Sequence, residues 1–77
     1  MEIDVKFFAS LRERMGRTSD KVTLDQPAAT VADVWMKVSS EPMPSNILVA
    51  VNKEYTDLNQ ALKSGDEVAF FPPVTGG

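Results

Sequence analysis

With 77 residues the chain has room for one domain, and an apolar fraction of 43% argues for a packed core rather than disorder. It contains neither cysteine nor histidine, which excludes disulfides, thiolate metal sites and the commonest general base, so chemistry has to come from carboxylates, hydroxyls, lysines or chain ends. Eight basic against eleven acidic residues give a net charge of −3 without a basic cluster, so nucleic acid is not an expected partner.

The opening Met1-Glu2-Ile3-Asp4-Val5-Lys6 alternates charged and apolar side chains, unlike a signal-peptide core. No apolar run approaches membrane-spanning length, so no membrane partner is expected and the expected location is cytoplasmic. Ile3, Val5 and Phe7 share one face of a predicted half-buried strand. Ser10-Leu11-Arg12-Glu13 reads as an S-x-x-E capping box, and Gly16 sits where a glycine ends a helix, so Ser10 to Met15 is a predicted short helical connection. Lys21 to Leu24 is the second predicted strand, with Val22 and Leu24 inward, and together the two strands form a widened hairpin.

Thr30 is the expected cap of the main helix, with Asp33 at the third helical position complementing the helix N-terminus. Val31, Val34, Trp35 and Val38 form a single apolar stripe for packing on a sheet. Ser39 to Ser45, with Pro42 and Pro44, ends the helix. Ile47 to Val51 is a continuous apolar run and reads as a central strand covered on both faces or nearly so. Asn52-Lys53-Glu54 is a turn, Tyr55 begins a short edge strand, and Asp57 is read as the cap of one helical turn through Leu58, Ala61 and Leu62, closed by Gly65. Glu67 to Phe71 is the last strand, ended by Pro72-Pro73. One helix against a mixed sheet of four to five strands is an α+β arrangement. The element order matches the ubiquitin-like β-grasp fold, in which the first and last strands lie parallel in mid-sheet. Residues 1–71 form the expected domain, and residues 72–77 an extended tail.

The chain ends in Gly65-Asp-Glu-Val-Ala-Phe-Phe-Pro-Pro-Val-Thr-Gly-Gly77. With Val5-Lys-Phe-Phe-Ala-Ser-Leu-Arg-Glu13 and Ala50-Val-Asn52, this stretch resembles the sulfur-carrier small subunits of molybdopterin synthase, nearly end to end. The physical logic of such a tail can be stated independently. A carboxylate is a poor electrophile until activated, and a side-chain-free end enters a narrow site that a Cβ would block, which suits Gly76 and Gly77. Pro72 and Pro73 favour extended backbone that projects the tail, and the β-branched Val74 and Thr75 keep it extended.

The resemblance implies that an ATP-dependent activating enzyme, using ATP with Mg, adenylates Gly77. A persulfide-carrying desulfurase or similar donor then supplies the sulfur of a Gly77 thiocarboxylate. That group passes sulfur to cyclic pyranopterin monophosphate inside the large catalytic synthase subunit. The carrier itself is then non-catalytic and binds no stable cofactor or metal, meets nucleotide only as its acyl-adenylate, and works in a heterotetramer with the large subunit. The absence of cysteine suits a sulfur held on a thioacid. Three other readings share part of this logic. A thiamine-pathway sulfur carrier has the same fold and ending, although Phe70-Phe71-Pro72-Pro73 favours the molybdopterin branch. A ubiquitin-like modifier would be joined to lysines through Gly77. A plain β-grasp interaction domain would have an inert tail.

Strand parity makes a separate expectation. If Ile3, Val5 and Phe7 face the helix, Phe8 faces outward, and if Val68 and Phe70 face it, so does Phe71. In a β-grasp sheet both rings then lie beside the root of the tail, with Tyr55 near them, as an apolar partner interface. Trp35 is expected in the core, Met36 and Met43 as partly exposed gap-fillers, Asp66-Glu67 as turn chemistry rather than a metal pair, and Arg12-Glu13-Arg14 as a solvated face.

Overall fold

Alternating apolar residues build the first strand, β1 (Glu2–Phe7), whose Ile3, Val5 and Phe7 are buried. The computed structural model describes residues 1–26, 28–39 and 47–72. A short helix, α1 (Ser10–Met15), connects β1 to β2 (Ser19–Thr23), and the two strands pair antiparallel as the widened hairpin expected. Gly16 ends α1 in the left-handed region at φ 73°, its N–H donating to the Arg12 and Glu13 carbonyls. The expected Ser10 capping box does not form. Ala9 takes the cap position with φ 54°, so the helix starts one residue earlier and Ser10 lies inside it. The second strand also begins and ends slightly earlier than the reading of Lys21–Leu24, but Val22 and Leu24 are buried as expected.

A two-residue strand, β3 (Ala29–Thr30), runs directly into the main helix α2 (Val31–Val38). The Thr30 N–H donates to the Asp33 carboxylate at 2.8 Å, one half of a reciprocal capping box. Val31, Val34, Trp35 and Val38 are buried on the sheet, whereas Met36 is exposed. Ser40 to Asn46, including Met43 and the Pro42/Pro44 loop, lie outside the described residues.

The remaining strands are β4 (Leu48–Val51), β5 (Glu54–Thr56), β6 (Ala61–Leu62) and β7 (Glu67–Phe71). Asn52 and Lys53, both at positive φ, turn β4 tightly into the edge strand β5. Asp57 does cap a turn, its side chain accepting from the Asn59 N–H at 2.9 Å and its carbonyl from the Gln60 N–H at 3.3 Å, but the turn does not continue as a helix through Leu62. The segment's other backbone groups are committed elsewhere: Ala61–Leu62 pairs with β3, and the Leu58 and Gln60 carbonyls accept the Ala32 and Val31 N–H groups at the start of α2. With these groups committed to α2 and β3, the chain leaves its Asp57 turn as a strand rather than as a helix.

The five-stranded sheet has the order β2-β1-β7-β4-β5, with β1 and β7 parallel and every other pair antiparallel. This is the ubiquitin-like β-grasp, an α+β fold with its core between α2 and the inner face of the sheet. Phe7, Phe70 and Trp35 form the aromatic centre of that core, with Trp35 edge-on to Phe70 at 5.1 Å. Among the described residues, no helix is long and apolar enough to cross a membrane.

The pole remote from Phe71 is tied by polar groups. Asp66, 5% exposed, accepts from the Lys63 N–H at 2.9 Å and from the Asn52 side-chain amide at 3.0 Å. Asn52 also accepts from the Glu67 N–H at 3.0 Å. Asp66 is thus turn chemistry, as the sequence suggests. Replacing Asp66 with Ala strands two donors and is expected to cost about 1–3 kcal/mol of stability. The check is urea denaturation, with a lower midpoint and an unchanged slope.

Candidate docking face and tail root

Parallel pairing of β1 with β7 matches Lys6 with Ala69 and Phe7 with Phe70, so the next residues, Phe8 and Phe71, fall side by side. Alternation turns both to the outer face, where the rings stack at 4.7 Å with planes 9° apart. On the other flank Tyr55, paired with Ala50 across β4, packs against Phe71 at 5.9 Å. Phe8 is 42% exposed and Tyr55 74%, so α1 does not cover them. The structure therefore brings together all three residues expected at a partner interface.

A fourth member was not anticipated. Leu48 pairs with Phe71 and is 39% exposed, where the sequence reading expected β4 to be covered on both faces. Val49 and Val51 do face the core, and Ala50 is buried on the outer side beside Ala69. The uninterrupted run Ile47–Val51 hides which side chains point outward; only the register against β7 assigns Leu48 to the patch. Phe8, Phe71, Leu48 and Tyr55 make a continuous apolar band across four strands, over a floor of small alanines. Exposed apolar groups clustered this way mark an interaction surface.

Charged groups flank the band. Lys6 and Arg12 line a shallow groove with Phe8, Thr18 and Ser19 on one side. Asp57 is exposed on the other, just past β5, whereas Glu54 pairs with the buried Val51 and so projects on the helix side. The larger groove, about 420 Å³ between β5 and residues 60–63, contains the hydrogen-bonded Asn52 and Asp66 and no nucleophile–base pair. Among the described residues, no group of three or more acidic, histidine or cysteine side chains is placed to hold a metal.

The band lies where β7 ends. Pro72 follows Phe71 directly and is half-buried. Pro73, Val74, Thr75, Gly76 and Gly77 lie outside the described residues.

One main helix grasped by a mixed sheet defines a ubiquitin-like β-grasp protein, and its sequence ends in Gly-Gly. The chain belongs to the ThiS family, whose model matches residues 5–77. It is 39% identical to the molybdopterin synthase sulfur carrier subunit of Escherichia coli, over 97% of this chain and 99% of that one. The same-named subunit of Haemophilus influenzae is 38% identical with the same coverage. Among solved structures it is similar to SAMP1, a small archaeal modifier protein of Haloferax volcanii. That match has a TM-score of 0.84 and 31% identity, and it spans 100% of both chains.

The parity argument gives a stability contrast between adjacent phenylalanines. Phe70→Ala, at a site 0% exposed, is expected to cost about 3–5 kcal/mol. Phe71→Ala, on the outer face, is expected to cost about 1–2 kcal/mol. Urea unfolding followed by Trp35 fluorescence measures both.

Proposed function

We propose that this chain is a sulfur carrier of molybdenum cofactor biosynthesis, whose working group is the Gly77 carboxylate. The observation that most supports this reading is the placement of the Phe8–Phe71–Tyr55 face directly at the root of the terminal Gly-Gly segment. A docking surface there fixes the domain on a partner while residues 72–77 reach into the partner's site. Likeness to carrier subunits over almost the whole chain supports the same assignment.

The chemistry proceeds in balanced steps. The Gly77 carboxylate attacks the α-phosphorus of ATP, held with Mg in an activating enzyme, and expels pyrophosphate to give an acyl-adenylate. A persulfide sulfur from a desulfurase-type donor attacks the acyl carbon and expels AMP. A thiol reduces the resulting acyl disulfide, leaving the Gly77 thiocarboxylate. In the large subunit of molybdopterin synthase the sulfur passes to cyclic pyranopterin monophosphate, and water restores the carboxylate. A dithiolene needs two sulfurs, so two charged carriers act in turn.

In this scheme the carrier is non-catalytic and acts in the cytoplasm, paired with the large subunit in a heterotetramer. Gly76 and Gly77 suit it because a Cβ at either position would obstruct a narrow site. The backbone preferences of Pro72, Pro73, Val74 and Thr75 suit an extended segment.

A second reading is favoured by the likeness to the archaeal modifier protein. Modification and sulfur transfer begin with the same acyl-adenylate, and they diverge at the nucleophile: a lysine amine in one, a persulfide in the other. The thiamine-pathway carrier is a third, distinguished by which acceptor enzyme takes the sulfur.

Intact mass after incubation with the activating enzyme, ATP and a sulfur donor tests the proposal. The expected outcome is replacement of one oxygen by sulfur, localised to Gly77 and lost when Gly77 is deleted. An unchanged mass, alongside an activating enzyme that charges another carrier, refutes it. Isopeptide conjugates on lysines in a lysate would instead favour the modifier. Phe71→Ala is expected to weaken large-subunit binding at least tenfold, the loss of one interface hot spot. Titration calorimetry of a folded variant reads this directly.

A further inference from the structure

The five-stranded sheet has β2 at one edge and β5 at the other, and the two edges differ in what they do with their outward backbone groups. Beside β1, the Leu24 N–H donates to the Met1 carbonyl and the Phe7 N–H to the Thr18 carbonyl. Alternation therefore turns the backbone groups of Ser19, Lys21 and Thr23 away from the sheet. The middle donor of that edge is already taken. The Lys21 N–H donates to the Asp20 carboxylate at 2.8 Å, and Arg17 pairs with the same carboxylate at 3.1 Å. An edge occupied by its own charged side chain resists addition of another strand.

The β5 edge has no such block. The Asn52 N–H donates to the Glu67 carbonyl at 2.8 Å, so two residues earlier the Ala50 backbone is directed at Ala69 of β7 and not at Tyr55. Tyr55 opposite it aims both its N–H and its C=O out of the sheet. Among the described residues nothing bonds to either group, and an open groove rather than a paired strand lies beside them. A donor and an acceptor on one extended residue are both satisfied by another extended backbone.

A second copy of β5 meets them symmetrically. About a twofold axis perpendicular to the sheet, Tyr55 lies opposite Tyr55 of the other copy, and each N–H donates to the other carbonyl. Both rings then fall on the outer face as a cross-strand aromatic pair. Glu54 comes opposite Thr56, so no like charges meet. One step beyond the strand, Lys53 comes opposite Asp57, twice by symmetry. Both are exposed, and neither is in an ion pair among the described residues.

We infer that the free chain self-associates edge to edge through β5, joining two five-stranded sheets into one continuous sheet. A contact of three strand residues covers far less than the roughly 800 Å² per partner of a stable interface, so the dimer forms only at high concentration. The axis keeps both outer faces on one side and reverses the strands. The two Phe8–Phe71–Leu48 rows therefore lie at opposite ends of the joined sheet, and each stays open to its own partner.

This inference goes beyond the proposed function and needs the chain alone, so its failure leaves thiocarboxylate formation untouched. Sedimentation velocity over about a hundredfold range of concentration is expected to show a monomer–dimer equilibrium, since the dimer fraction follows mass action. Amide exchange read by NMR should slow at Tyr55 in step with the dimer fraction, while Ser19 and Thr23 on the other edge keep their rates. Lys53→Glu and Asp57→Lys each bring like charges together at both flanks and should each weaken the dimer about threefold or more. An equimolar mixture of the two should dimerise again, because unlike charges meet at both flanks of the mixed pair. Lys37→Glu, on α2, controls for net charge and should not replace Lys53→Glu in that mixture.

If a charge variant does not fold, Tyr55→Pro provides the second comparison. It removes an N–H that has no partner in the single chain, so the folded variant is expected to stay monomeric. A parent chain that stays monomeric throughout overturns the inference, as does a Tyr55 amide whose exchange ignores concentration. Variants that dimerise as the parent does, or a mixture no stronger than its components, overturn it as well. Protection of the Tyr55 amide only when the large synthase subunit is added would assign the edge to a partner's strand instead.

Discussion

The parallel ladder between β1 and β7 is the contact on which the rest of the molecule depends. Each strand ends in a Phe-Phe pair, and within either pair nothing local says which ring points inward. The side is decided by the residues before them: Ile3 and Val5 on β1, and Val68 on β7, all buried. With Val5 opposite Val68, Phe7 and Phe70 meet in the core, and Phe8 and Phe71 stack outside it. A slip of one residue in either strand would exchange the two sets. The core and the exposed aromatic face are thus two consequences of one register.

The helix makes that register one-sided. Valine is a poor helix former, and α2 is only eight residues long, so its stability comes from what surrounds it. The carbonyls of Leu58 and Gln60 take up two of its leading N–H groups, and Asp33 binds back to Thr30. At the other end Arg17 donates to the Val38 carbonyl at 3.0 Å, pairs with Asp20 at 3.1 Å and lies 5.4 Å from the Phe7 ring centre. One side chain thereby ties the helix end to the first hairpin. Because a single helix covers one side of the sheet, the opposite side keeps its apolar residues in contact with water.

The two poles of the sheet are built from different chemistry. Where β7 begins, Asn52 and Asp66 hold the turns with short polar contacts. Where it ends, the contacts are aromatic and largely exposed. Hydrogen-bonded turns fix the strand register at one pole, and the same register sets the aromatic band at the other. Preorganisation of this kind lowers the ordering cost when another surface docks there.

Much of this was legible in the residues. Alternation in Glu2–Phe7 and Glu67–Phe71, the valine–tryptophan stripe of α2, the Thr30/Asp33 start and the Gly16 stop all act within a few residues, and the chain encodes them locally. The outward parity of Phe8 and Phe71 followed from the same short-range rule once the two strands were taken as neighbours. Other features depended on partners distant in sequence. Residues 58–62 have the composition of a helical turn, yet their carbonyls are claimed by α2 and their strand by β3. Ser10 has the spacing of a cap, yet the turn at Ala9 moves the helix start past it. Leu48 sits in a run with no visible alternation, so its place beside Phe71 was settled by cross-strand pairing. The sequence by itself determined the elements, the buried stripe and the composition of the tail, because those depend on local periodicity and backbone chemistry. The tertiary structure alone decided the fourth member of the apolar face and the fate of the 58–62 segment, because hydrogen bonds and registers between distant strands override local preference.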